Sequence, residues 1–121
     1  ICSDHQPEDV ENKKKEFELA AFGAEGIETA FAAAYNSLED HISKEMIIEK
    51  FSNAPRRIAG LPEIHIAENS PACLTIADLN IKWTVREKDL LSKSKNNPFL
   101  NKELKAKAMY VFNKGQIYKC S

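Results

Sequence analysis

At 121 residues and a net charge of −1, the chain is the size of one small domain and lacks the basic excess of a nucleic-acid or polybasic membrane surface. No apolar run approaches the roughly 18 residues that span a bilayer and no signal-peptide pattern is present, so a cytoplasmic location is expected, with neither nucleic acid nor membrane as partner. Cys2, Cys73 and Cys120 are an odd, widely spaced set without a Cys-x-x-Cys pair, which reads as reduced thiols and not as a disulfide set or a zinc knuckle.

Ile1-Cys2-Ser3-Asp4-His5-Gln6-Pro7 reads as the C-terminal end of a buried parallel strand, with polar chemistry just past its last apolar residue and a proline that stops regular structure. The plainer reading is an Asp that caps the next turn beside an exposed His. The chain has no initiator Met and opens inside this strand, so it is expected to be a piece of a longer protein. Pro7 to Glu18 is charged and weakly patterned, an exposed loop with a helical turn, anchored by Phe17, Leu19 and Phe22. Gly23 and Gly26 then permit a tight turn and a close backbone approach to a ligand, or simply a loop-to-helix junction.

Ile27, Ala30, Phe31, Ala34, Tyr35 and Leu38 repeat at helical spacing and predict a helix over 27–38 with one apolar stripe. Ser43 is the N-cap of a second helix through Met46, Ile47, Ile48 and Phe51. Asn53 caps a third, with Pro55 in its first turn, Ile58 buried and Gly60 closing it, and with Arg56 and Arg57 solvated. Past Gly60 the period changes to two. Ile64 and Ile66 flank a solvent-facing His65, Leu74 and Ile76 alternate with polar neighbours, and so do Ile81, Trp83 and Val85. Residues 89–97 read as a polar connection and the surrounding lysines as solvated surface. Met109–Phe112, a turn at Asn113-Lys114-Gly115 and Gln116–Lys119 predict a hairpin. The helix stripe has little in this chain to cover it, so both halves are expected to want a partner, and self-association through that helix is expected.

These residues resemble the dihydroorotases of the amidohydrolase superfamily, specifically their C-terminal third. Cys2-Ser3-Asp4-His5-Gln6-Pro7 resembles the family's Thr-Asp-His-Ala-Pro-His, and Phe22-Gly23-Ala24-Glu25-Gly26-Ile27-Glu28-Thr29-Ala30 is similar to Phe-Gly-x-x-Gly-Leu-Glu-Thr-Ala, the most specific match. Asn53-Ala54-Pro55 through Gly60-Leu61 resembles Asn-Pro-Ala…Gly-Leu with two residues exchanged. Trp83-Thr84-Val85, Ser92 through Phe99 and Asn113-Lys114-Gly115 match the family's tail in order.

The resemblance implies an α+β piece. Residues 1–60 would be the last strand and helices of a (β/α)8 TIM barrel, and residues 61–121 a small β-rich flanking domain. It implies zinc-dependent, reversible hydrolysis of the cyclic amide of dihydroorotate to N-carbamoyl-aspartate in pyrimidine biosynthesis. Asp4 would be both catalytic residue and metal ligand, with Glu8, Phe22 and Gly23 at the substrate. The implied partners are dihydroorotate, the rest of the parent barrel, and a second copy or aspartate transcarbamoylase. Two departures qualify it. The family's other metal ligands have no counterpart here, since His5, His41 and His65 stand at no ligand spacing, so this chain alone is expected to be inactive and to hold no zinc tightly. Glu8 stands where the family has a His that holds the substrate carboxylate, which favours the alternative of a non-catalytic scaffold subunit.

Overall fold

The computed structural model describes residues 1–120. Its helices are α1 (Val10–Lys13), α2 (Ala30–Leu38), α3 (Lys44–Phe51) and α4 (Asn53–Ile58), and its strands are β1 (Leu74–Thr84), β2 (Glu103–Asn113) and β3 (Gln116–Lys119). The strands form one antiparallel sheet in the order β1-β2-β3, and α2 packs on β2. No helix among the described residues is long and apolar enough to cross a membrane.

Helix α2 begins at Ala30, three residues later than its apolar spacing suggests, and Ile27 is 62% exposed. The turn ahead of it is tighter than a helical one, with Thr29 N and Ala30 N both donating to Gly26 O at 3.3 and 2.9 Å. The N–H groups of Gly26 and Ile27, which a helix would leave free, donate to His5 Nδ1 at 3.3 Å. Phe31, Tyr35 and Leu38 of the stripe are covered from within the chain, while Ala30 and Ala34 line an open depression. Tyr35 packs with the wholly buried Ile47 of α3 and Ala106 of β2, with Phe31 and Leu38 around them. Ala32 packs with Val85, Leu90 and Leu104. The cover that periodicity left unassigned is therefore β2 and α3, and both clusters join residues from either side of position 60. Asn36 sets the register by donating to Lys105 O at 2.7 Å and accepting from Lys105 N at 3.1 Å. Lys105 also pairs with Glu39, which holds its ammonium above the ordinary lysine range, and Lys107 lies 5.0 Å from the Trp83 ring centre, so neither is a freely solvated lysine.

Ser43 caps α3 as its position predicts, accepting from Met46 N at 3.2 Å. Ile47, on the inward face, has no exposed surface. Ile47→Ala should cost about 2–5 kcal/mol in urea denaturation, the usual range for emptying a fully packed aliphatic site. A loss below about 1 kcal/mol would show that this core collapses around the gap.

Three local expectations fail for identifiable reasons. Asn53 makes no cap, because its side-chain amide pairs with the backbone of Ile64, accepting from Ile64 N at 3.1 Å. That pairing occupies the groups a strand at 64–66 would need; no strand forms there, and Ile66 is 87% exposed. Ile58 is 89% exposed, since α4 ends against solvent. Gly60 does close that helix. At φ +67 it lets Leu61 N donate to Arg56 O at 2.8 Å and its own N–H to Arg57 O at 3.2 Å, a Schellman ending. Arg57 is paired with Glu49 and Glu63, and its hydrogen bond holds the Glu63 carboxyl below the ordinary glutamate range.

The two short strands expected at 73–76 and 81–85 are one strand, β1, with a register shift between Ile76 and Ala77 and a wider one between Asp78 and Lys82. Asp78 Oδ1 spans it, accepting from Asn80 N at 2.9 Å and Ile81 N at 3.3 Å. The hairpin forms as expected, with Lys114 at φ +50 and Gly115 at φ +75 making a two-residue turn of the primed kind.

Candidate active site

Ile1–Ser3 forms no strand and pairs with none of the three strands of the sheet. Residues 3–6 instead lie on the loop 23–27. Gln6 N donates to Ala24 O at 3.1 Å, and His5 Nδ1 takes the two N–H groups of Gly26 and Ile27. The glycines give the contact its closeness. A Cβ on Gly23 would lie 2.5 Å from Gln6 O, and one on Gly26 would lie 2.9 Å from Ser3 O. The close approach that two glycines three apart permit is thus met by the chain's own backbone.

Asp4 sits between these contacts, exposed and at φ +47, a left-handed conformation uncommon outside Gly, Asn and Asp. It shares with Gly23, Glu25, Thr29, Ala33 and Phe99 the wall of an open depression of about 570 Å³. Of the residues expected at a site, the structure brings Asp4 and Gly23 together there. Glu8 and Phe22 do not line it: Glu8 is half-buried with its carbonyl accepting from Ser94 Oγ at 2.6 Å, and the Phe22 ring is 89% exposed. Phe17 and Leu19 are also exposed, and the loop expected to hang on these apolar residues is held by Lys13 instead, whose Nζ donates to Ala21 O at 2.6 Å and Gly23 O at 3.1 Å.

Behind the wall is a polar cluster that the residue pattern did not reveal. Glu25 and Thr29 are wholly buried, and Ser94 and Asn97 nearly so. Glu25 accepts from Asn97 Nδ2 and from Glu28 N at 3.3 Å, with His5 Nδ1 3.7 Å from its Oε1. The donors Asn97 and Glu28 N are the partners a buried carboxylate needs, since an unpaired one costs several kcal/mol, whereas His5 Nδ1 is an acceptor for Gly26 and Ile27. Asn97 Nδ2 also donates to Thr29 Oγ1 at 3.2 Å, and Asn97 Oδ1 accepts from Phe99 N at 2.8 Å. The Asn96-Asn97-Pro98 run carried one usable signal, side chains suited to pairing with backbone ahead of a proline.

Zinc does not fit this chain as a complete site. Among the described residues no three His, Cys, Asp or Glu side chains gather within reach of one ion, whereas zinc needs three or four protein ligands. Asp4 offers one carboxylate at the mouth of the depression.

No family model matches the chain. In fold it aligns with part of a D-hydantoinase (dihydropyrimidinase) from Thermus sp., with a TM-score of 0.61 over 94% of this chain and 26% of that one, at 21% identity. It is thus a small α+β unit with the architecture found in part of that hydantoinase. In sequence it is 39% identical to the dihydroorotase of Caldicellulosiruptor saccharolyticus over 98% of its length, and 36% identical to those of Elusimicrobium minutum and Chlorobaculum tepidum over 97%. The chain belongs to the dihydroorotase family, and it spans 27–28% of the length of these relatives.

Proposed function

We propose that this chain is the C-terminal third of a dihydroorotase, a cyclic amidohydrolase that interconverts dihydroorotate and N-carbamoyl-aspartate in pyrimidine biosynthesis. The observation that carries the reading is the alignment of 97–98% of the chain with dihydroorotases; Asp4 and Gly23, which the resemblance singles out, both line one open depression. Residues 1–60 would complete a (β/α)8 barrel and residues 61–121 would flank it. In the hydrolytic direction water adds to the ring carbonyl carbon, the carbon–nitrogen bond breaks, and the nitrogen leaves protonated. Asp4 takes the proton from the attacking water and returns it to that nitrogen, a transfer that needs an accessible carboxylate. The Gly23 backbone would meet the ring from the depression that it lines, since the space its missing side chain leaves is filled by Gln6. Zinc enters this reading through the resemblance alone, with Asp4 as one ligand and the others supplied from outside this chain.

The test is consumption of dihydroorotate by the natural-length protein that carries this chain, assayed with zinc and after chelation. A zinc-loaded, folded protein without turnover would favour the second reading, a non-catalytic scaffold for a partner such as aspartate transcarbamoylase. Glu8 is the residue behind that alternative: the resemblance puts it opposite the substrate carboxylate, which it would repel, although it does not line the depression here. In an active protein, Glu8→His is expected to raise kcat/KM by about tenfold, the equivalent of roughly 1.4 kcal/mol. An unchanged kcat/KM would mean that Glu8 does not face the substrate.

A further inference from the structure

The segment 91–97 bonds to the stretch 23–29, most of which lines the depression, and to the loop that carries Glu8. Leu91 N and Ser92 N each donate to the Glu28 carboxylate at 2.8 Å, and Ser94 Oγ holds Glu8 O. Asn96 Nδ2 reaches Gly23 O at 3.3 Å, while Glu25 N donates to Asn96 O at 2.9 Å. Asn97 ends the run between Glu25 and Thr29. Its orientation is set by Phe99 N, which donates to Oδ1 and so leaves Nδ2 turned towards Glu25.

From this juxtaposition we infer that Asn97 is a positioning residue for Asp4, acting through Glu25; the inference rests on the dihydroorotase reading for its kinetic consequence. The path is continuous. Glu25 lies between Ala24, whose carbonyl holds Gln6 N, and Gly26, whose N–H meets His5 and where a Cβ would lie 2.9 Å from Ser3 O. Those contacts fall on both sides of Asp4. Its left-handed backbone is not one that a free chain would favour, so the surroundings must hold it. Moving the Glu25 carboxylate moves the surface on which residues 3–6 rest. A segment that reads as a polar connection between strands thereby sets the direction of the carboxylate that handles the proton.

The experiment uses the natural-length protein and two variants. Asn97→Ser withdraws the donor from Glu25 without adding charge. Asn97→Asp with Glu25→Gln restores one donor and one acceptor in the reverse sense. The readouts are kcat and KM for dihydroorotate per folded molecule, and hydrogen exchange at the amides of Gln6 and Gly26. Asn97→Ser is expected to lower kcat about tenfold or more, with KM within about threefold, because a small misplacement of a reacting group acts on the chemical step. Exchange at both amides should quicken, and the double variant should bring kcat and exchange back towards wild type. Unchanged kcat per folded molecule in Asn97→Ser, or no recovery in the double variant, overturns the inference. If the wild-type protein does not act on dihydroorotate, the functional reading falls separately, and exchange decides. Faster exchange in Asn97→Ser that the double variant reverses supports positioning, and unchanged exchange overturns it.

Discussion

Asp4→Asn is expected to lower kcat for dihydroorotate by about 10² to 10⁴-fold in the natural-length protein, the usual contribution of a positioned acid–base group. The substitution is well suited to the question. Asn tolerates the left-handed backbone that Asp4 adopts at φ +47, so the loop keeps its shape while the proton acceptor is lost. Asp4→Ala would mix the loss of the carboxylate with backbone strain. Because Asp4 is exposed, the thermal midpoint of Asp4→Asn should stay close to wild type. A near-normal kcat would remove Asp4 from the proton path.

Gly23→Ala carries the largest expected effect on stability. Its Cβ would sit 2.5 Å from Gln6 O and 2.8 Å from Gln6 Cβ, on a backbone at φ +108 that side-chain-bearing residues rarely adopt. Conformational strain of about 1–3 kcal/mol adds to overpacking of similar size, about 2–6 kcal/mol in all. Gly60→Ala is the control, with φ +67 and nothing within 4 Å of its Cβ. It should lose only the left-handed penalty of about 1–2 kcal/mol. Urea midpoints of the two variants separate the terms, and equal losses would mean that residues 3–6 yield easily to a side chain at Gly23. In the natural-length protein Gly23→Ala should also depress turnover, because relief of the clash displaces the Asp4 loop.

What the sequence by itself determined is the set of features closed by neighbours a few residues apart. The Ser43 cap reaches three residues on to Met46, the Gly60 ending uses a glycine's access to positive φ, and the Lys114-Gly115 turn answers to the same freedom. The family too was legible, because the motif from Phe22 to Ala30 is contiguous. What only the tertiary structure decided are pairings across the chain: Asn97 meets Glu25 at a separation of 72 residues, and Ser94 meets Glu8 at 86. Neither is marked by periodicity, since a polar residue buried against a distant partner looks in sequence like one exposed to water. The two glycines show the difference most clearly. Their freedom was readable, but only the packed fold shows that the atoms occupying the space they leave are the backbone oxygens of Ser3 and Gln6, on either side of Asp4.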